Sequence, residues 1–228
     1  QDNEGRTALM WAIQRNRNEM IKILLEHEKG MKDKQGHNAL YYALKSGHLK
    51  DVYFLIEADD PTDENGVTAL MRAAEKGDVE AVRALIPLQK GKKATGGVTI
   101  NGWKIYGGTA LMMAAAHGHA EAVKLLVGHE GGMRASRGYT ALMIAAENGH
   151  TECVKLLLER EAGVQSEDGV TALMWAVANN KFQCAELLAE REKNMKTTHA
   201  CWGFPSGTTA LGVAKKWGRT AIASILSG

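Results

Sequence analysis

Apolar residues follow the same spacing in seven successive units of the 228-residue chain. If the Thr or Asn that opens each unit is position zero, position two is always Leu and position five is always Ala. Residues three apart share one face of a helix, so these positions predict a short first helix of about nine residues. Apolar residues return at positions fourteen, sixteen and seventeen, as in Val154, Leu156 and Leu157, and predict a second helix.

The start of each first helix carries its own repeated signal. The tetrad Thr-Ala-Leu-Met, or a variant of it, follows a glycine placed two residues before position zero. Glycine there is typical of a turn with positive φ, and Thr is a favoured helix N-cap. The seven repeats, numbered units 1 to 7 below, start near residues 5, 36, 66, 107, 138, 169 and 207. Their period is about 31 residues, with insertions near 90–106 and 195–206.

A pair of short helices cannot bury its apolar face alone, so successive units are expected to stack into one continuous core. The sequence therefore predicts an all-α solenoid of about seven helix-turn-helix repeats, with one β-hairpin insertion. Residues 1–228 are expected to form a single elongated domain.

The motifs of unit 5 resemble those of the ankyrin repeat. They are Gly138-Tyr139-Thr140-Ala141-Leu142, then Ala145-Ala146, Gly149-His150 and Val154 through Leu158. Throughout the array Ala replaces the family's Pro, and in units 1 to 6 Met or Tyr replaces its His. The resemblance implies an ankyrin-repeat solenoid that serves as a protein–protein interaction scaffold or recognition module. The tetrad and the short period are also similar to arrays of diplomonad ankyrin-repeat proteins, some of which carry a NIMA-related kinase domain.

The first insertion predicts a β-hairpin. Residues 98–100 and 103–105 alternate as strands do, and Asn101-Gly102 between them is a strong signal for a type I′ turn. We expect the hairpin to project from the array as a β-finger. It is either a tolerated loop insertion or a contact element whose Trp103 and Tyr106 meet a partner.

The second insertion and the last helix concern the end of the array. The aromatic residues Trp202 and Phe204 are expected to cover the last repeat rather than meet a partner. The final helix carries Ile222 and Ile225 with little charge. We expect its outer face to associate with other apolar surfaces unless another repeat or a partner covers it.

Composition and charge exclude several classes of function. The 28 basic and 26 acidic residues give a net charge of +2, which favours neither nucleic acid nor a membrane surface. No apolar run approaches the roughly 18 residues needed to span a bilayer. Three scattered cysteines favour a reducing, intracellular compartment over a disulfide framework. We expect the protein to be cytoplasmic or cytoskeleton-associated.

No residue pattern predicts catalysis, a metal site or a cofactor. His119 and His150 occupy the Gly-His turns of successive units, where the resemblance implies hydrogen bonds between loops rather than metal ligation. Cys153 and Cys184 share one position of consecutive second helices and are expected to be buried. Kinase signatures such as His-Arg-Asp and Asp-Phe-Gly do not occur, so a kinase domain of a parent protein would lie outside these residues.

The variable positions on the concave side are the candidate partner-binding residues. Position four changes from unit to unit, and aromatic and Arg side chains there are typical of interface hot spots. The candidates are Trp11, Tyr42, Arg72, Met113, Ile144 and Trp175 at position four, Tyr139 beside the fifth cap, and Trp103 and Tyr106 on the hairpin. Tyr139, Ile144 and Trp175 are expected to form one contiguous apolar patch. The opposing interpretation is that position four only packs against the neighbouring helix.

The function favoured by these observations is a monomeric scaffold that binds another protein and belongs to a larger chain. An architectural or cytoskeletal spacer without a dedicated partner site is the alternative. An enzyme hidden in the array is a remote one, because it would need a pocket with convergent titratable groups.

Overall fold

The computed structural model describes residues 1–47, 55–56, 62–100 and 102–228. Within them, a short first helix is followed by a second helix in units 1 and 3 to 7, as the apolar spacing predicts. The described helices are α1 (Ala8–Gln14), α2 (Asn18–Glu28), α3 (Ala39–Ser46), α4 (Ala69–Lys76), α5 (Val79–Gln89), α6 (Ala110–Ala116), α7 (Ala120–Glu130), α8 (Ala141–Asn148), α9 (Thr151–Glu161), α10 (Ala172–Ala178), α11 (Phe182–Glu192), α12 (Ala210–Lys216) and α13 (Thr220–Ser227).

Each first helix begins directly after the residue that the sequence marks as its N-cap. The cap side chain accepts a hydrogen bond from the backbone amide three residues on, at 3.1 to 3.4 Å. The glycine two residues earlier has the positive φ that the turn needs, as Gly66 shows with φ 73°. A Cβ on Gly66 would also lie 2.6 Å from the backbone nitrogen of Thr95, so only glycine fits there.

The helices stack in two layers. First helices α6, α8 and α10 pack on one another, and second helices α7, α9 and α11 pack on one another behind them. The constant Leu and Ala of the first helices lie in the core between the layers, where Leu142 and Ala145 are fully buried. The small Ala side chain lets neighbouring helices approach closely, which explains why this position does not vary.

The first insertion forms the predicted hairpin. Strand β1 (Gly97–Ile100) pairs antiparallel with β2 (Trp103–Tyr106), with Val98 opposite Ile105 and Thr99 opposite Lys104. Gly102 in the turn has φ 80°, in the left-handed region. Asn101 and the side chain of Trp103 lie outside the described part of the structure.

The hairpin does not project freely, so the expectation of a protruding finger is wrong. Val98, Ile100 and Ile105 are buried in the same core as the helices, whereas Thr99 is exposed. Alternate residues of a strand point to opposite faces, and here one face is apolar. The backbone amide of Tyr106 also donates to Ser136 Oγ at 3.1 Å, which ties the hairpin to the turn before unit 5.

The second insertion covers the last repeat, as predicted. The Trp202 and Phe204 rings lie 5.9 and 5.4 Å from the Trp217 ring, and Phe204 is buried. In α13, Ile222 is fully buried and Ile225 is partly buried. The expectation that Ile222 faces outward is therefore wrong, because it packs into the core of unit 7.

A row of buried carboxyl groups, which no pattern above predicts, runs along the array. Glu130, Glu161 and Glu192 end α7, α9 and α11 and are at most 1% exposed. Glu161 accepts the backbone amide of Leu142 at 2.7 Å and that of Gly132, in the preceding unit, at 3.0 Å. Glu130 and Glu192 make the same pair of bonds. Each carboxyl group thus joins the first helix of its own unit to the turn that closes the previous unit.

Candidate partner-binding site

A cavity of about 320 Å³ lies between the hairpin and units 5 and 6. Strand β2 forms one wall, the turn before α8 forms the second, and α8 and α10 form the floor. Its lining residues are Lys104, Ile105, Tyr106, Ser136, Arg137, Tyr139, Ile144, Glu147 and Trp175. We call this cavity the hairpin cleft. It contains four of the nine residues that the sequence nominates for partner binding, from both the array and the insertion.

The aromatic floor of the hairpin cleft is the contiguous apolar patch that the sequence predicts. The Tyr139 and Trp175 ring centroids are 5.6 Å apart, and Ile144 lines the same cavity. Ile144 is 1% and Trp175 8% exposed, whereas Tyr139 is only partly buried. Burial raises the pKa of the Tyr139 hydroxyl, so it stays protonated as a potential hydrogen-bond donor at neutral pH. On its other side, Trp175 meets the edge of Trp202 at 4.8 Å.

The indole N–H of Trp175 is buried and finds no acceptor among the described residues. The equivalent aromatic side chains of units 1 and 2 do find one. Trp11 Nε1 donates to Asp2 Oδ2 at 3.0 Å, and the Tyr42 hydroxyl donates to Asp33 Oδ2 at 2.7 Å.

The difference lies in the turn before the cap. Asp2 and Asp33 stand five residues before position zero, and in unit 6 that place is taken by Ser166. The Ser166 hydroxyl accepts the amide of Val170 instead. An unsatisfied buried donor costs about 1–3 kcal/mol. The buried indole N–H of Trp175 therefore lacks the acceptor that Asp2 and Asp33 supply in units 1 and 2.

The rim of the hairpin cleft carries two exposed cations. Lys104 is on β2, with its Nζ 5.7 Å from the Tyr106 ring centroid, and Arg137 is in the turn before α8. Neither forms an ion pair within the described ranges. Arg137 has φ 57°, unusual for a residue other than glycine, and its carbonyl accepts the amide of Glu167 at 2.9 Å. Glu147 adds one carboxyl group to the lining.

The other position-four side chains are more enclosed than the sequence suggests. Tyr42 and Met113 are buried, so the expectation that this position is exposed is wrong for them, as for Ile144 and Trp175. Tyr42, for example, packs edge-on against Tyr41 and donates its hydroxyl to Asp33 in the turn before its own cap.

Two position-four side chains stay partly exposed, but both already have contacts within the chain. The guanidinium groups of Arg6 and Arg15 lie 4.2 and 5.1 Å from the ring centroid of Trp11. Arg72 Nη1 donates to the Val67 carbonyl at 2.8 Å. Tyr106 on the hairpin, at 50% exposure, is far more accessible to a partner than any of these.

The histidines of the Gly-His turns make the structural contacts expected of them. His119 Nε2 bonds to the Glu75 carbonyl and His150 Nε2 to the Ala116 carbonyl, both at 3.0 Å and both in the preceding unit. Cys153 and Cys184 are buried, and burial raises the pKa of both thiols. In the part of the chain that the structure describes, no group of three His, Cys, Asp or Glu residues could hold a metal ion. No described helix is long and apolar enough to cross a membrane.

Comparison with known proteins identifies a repeat family. The family model described as ankyrin repeats (3 copies) matches residues 1–64, 57–135, 89–168, 111–199 and 142–228. Among curated proteins, inversin of Danio rerio is 45% identical over 69 residues, which cover 27% of this chain and 7% of inversin. Palmitoyltransferase AKR1 of Lachancea kluyveri is 34% identical over 108 residues, which cover 42% of this chain and 15% of that protein. The chain therefore spans a small part of the length of either relative.

Proposed function

Because the family model covers the chain from end to end, this protein belongs to the ankyrin-repeat family, and we propose that its units 4 to 6 and its hairpin recognise another protein. Ankyrin repeats are generally protein–protein interaction modules. The observation that most supports a site here is the hairpin cleft, where exposed Tyr106 and partly buried Tyr139 line the same cavity as Trp175, whose buried indole N–H has no acceptor among the described residues.

Truncation of the two tyrosines tests this function. The 228-residue protein, its Tyr106→Ala and Tyr139→Ala variants and a Lys124→Ala control are used as baits in extracts of the native organism. Lys124 is exposed on second helix α7, outside the hairpin cleft. We expect partners held by the wild type and by Lys124→Ala to be lost from both tyrosine variants. Loss of an aromatic hot spot weakens binding by about 1–4 kcal/mol.

The same experiment separates the proposed function from the architectural spacer. A spacer would capture the same proteins with all four baits, or none with any. Circular dichroism of each variant checks that the helices remain, because a loss of binding through unfolding would not support the proposal.

We also infer the setting of the array. Its likeness to diplomonad arrays supports a longer, intracellular parent protein, cytoplasmic or cytoskeleton-associated, with a NIMA-related kinase domain outside these residues. The two curated relatives differ in name and match only over short segments, so neither of their functions is transferred. An antibody against the array, used for immunoblotting and immunofluorescence, tests both points. A native protein of only about 24.7 kDa would contradict the kinase hypothesis.

A further inference from the structure

We propose that the hairpin cleft binds an extended peptide segment of the partner, which places one large apolar side chain against Tyr139 and Trp175 and an acidic side chain beside Lys104 and Arg137. This inference rests on the proposed function and deepens it by naming the chemistry of the bound segment. It also assigns the inserted hairpin a role as one wall of the site.

The size and walls of the hairpin cleft fit a side chain and its backbone. Its volume of about 320 Å³ is at the lower end of the range for small-molecule sites, so it is too small for a large cofactor. Ile105, Ile144 and the two aromatic rings supply apolar walls from two different parts of the fold. Of these four residues only Tyr139 is not buried, so an inserted apolar side chain would mainly remove its exposed surface from water, which is how anchor residues stabilise a complex.

The indole N–H of Trp175 has no acceptor among the described residues, and the bound peptide would provide one beside its apolar side chain. A peptide carries a carbonyl oxygen at every residue, so an inserted side chain brings acceptors on both sides of it. Trp11 and Tyr42, whose donors are bound to Asp2 and Asp33, show that this chain satisfies the equivalent donor in other units. In unit 6 the peptide would supply the acceptor that the described residues lack.

The positive charges of Lys104 and Arg137 favour an acidic residue next to the apolar side chain that enters the hairpin cleft. Lys104 and Arg137 are exposed on the rim and without ion pairs within the described residues, so both remain available to a carboxylate. The nearby Lys93 and Arg134 donate to the backbone carbonyls of Arg134 and Gln165. Glu147 in the lining disfavours a polyanion, which argues for one or two peptide carboxylates rather than a nucleic acid or an anionic membrane.

Selection from a peptide library tests the predicted chemistry even though the partner is unidentified. Phage-displayed random dodecapeptides are selected on the wild-type protein and, separately, on the Lys104→Glu/Arg137→Glu variant. We expect the wild type to enrich a large apolar residue next to Asp or Glu, and the variant not to enrich it. Enrichment of basic peptides, or the same acidic motif on both proteins, would overturn the inference.

Titration of the most enriched peptide then locates the contacts. Lys104→Glu/Arg137→Glu should weaken its binding about tenfold or more, whereas Lys124→Glu, a single charge reversal on α7 outside the cleft, should have little effect. Trp175→Phe keeps a ring against Tyr139 but removes the N–H, and should weaken binding about three- to tenfold. Replacing the peptide's Asp by Asn should weaken binding to the wild type but not to the double variant.

The outcomes distinguish this inference from the proposed function. If the peptide binds Trp175→Phe and the double variant as tightly as the wild type, the peptide inference is overturned. The proposed function survives that result if Tyr106→Ala and Tyr139→Ala still lose partners from the native extract. If the tyrosine variants keep all of their partners, the proposed function fails as well.

Discussion

Glu161 is an unusual core residue, because its carboxyl group is almost wholly buried and yet ionisable. Burial raises its pKa above the ordinary value of 4.5, although the amides of Gly132 and Leu142 act in the opposite direction. Since the folded-state pKa exceeds the unfolded one, the folded protein binds more protons in the pH window between them. The stability that this group contributes is fully present below pH 4.5 and is lost as the pH rises through the raised folded pKa.

Glu161→Gln tests this dependence. The amide cannot titrate and has one acceptor oxygen, so we expect the variant to be less stable than the wild type by a margin that is larger at about pH 4 than at about pH 7. Urea denaturation at the two pH values measures the margin. Unit 3 already has glutamine at the position equivalent to Glu161, and there Gln89 accepts the amide of Leu70 at 2.8 Å. A margin that grows with pH would contradict the raised pKa.

Leu142 represents the constant leucine of the first helices. It is fully buried, so Leu142→Ala should lower the free energy of unfolding by about 2–5 kcal/mol through lost burial and the cavity left behind. Leu156→Ala on α9 is the matched control, because Leu156 is only partly buried and should cost less. Chemical denaturation compares the two. A loss below about 1 kcal/mol at Leu142 would be inconsistent with a core position.

Sequence periodicity located the caps and the constant core residues, since their roles depend on one unit alone. It missed the buried acids Glu130, Glu161 and Glu192, although each stands 21 residues after its cap, where units 1 and 3 carry Glu28 and Gln89. A carboxyl group at the end of a helix resembles a surface residue until the neighbouring unit covers it. The same dependence on neighbours made position four look exposed, and it hid the contrast between the donors of Trp11 and Trp175.

At the scale of elements, the hairpin was predictable in position but not in its packing. Its strands and turn follow from local residue types, whereas its contact with Ser136 joins residues 30 apart in sequence. The alternation of Val98 and Ile100 with Thr99 was a usable signal that one face is buried. The hairpin cleft could not be predicted from any one element, because its walls come from β2, the turn before α8, and two first helices.

The packing of the hairpin gives a prediction for Ile105. Ile105→Ala should lower the free energy of unfolding by about 2–5 kcal/mol if the hairpin shares the cooperative core, because Ile105 is buried. Thr99→Ala, on the exposed face of β1, should change it by less than about 0.5 kcal/mol. Denaturation measures both values, and hydrogen exchange at the Tyr106 amide reports the bond to Ser136. Equal effects of the two substitutions would mean that the hairpin is detached from the core in solution.

At the scale of the whole molecule, each unit touches only its neighbours, so stability should vary along the array. Units 4 to 6 have packed neighbours on both sides, whereas α13 packs against α11 on one side and α12 of its own unit. We expect amide protection to be higher in α8 than in α13, and native-state hydrogen exchange measures the difference. Uniform protection along both helices would indicate a single all-or-none unit instead. The array is also expected to be monomeric, which light scattering can check against 24.7 kDa.

The hydrogen bond between Gly91 and Glu130 indicates where such a chain can accept an inserted segment. It spans the inserted hairpin, and its 3.0 Å length equals that of the Gly132–Glu161 bond, where nothing is inserted. The same hydrogen bond between units therefore forms whether or not extra residues follow this glycine. This point in the repeat is a natural grafting site. A foreign loop placed after Gly132 or Gly163 would extend the recognition surface without disturbing the frame that supports it.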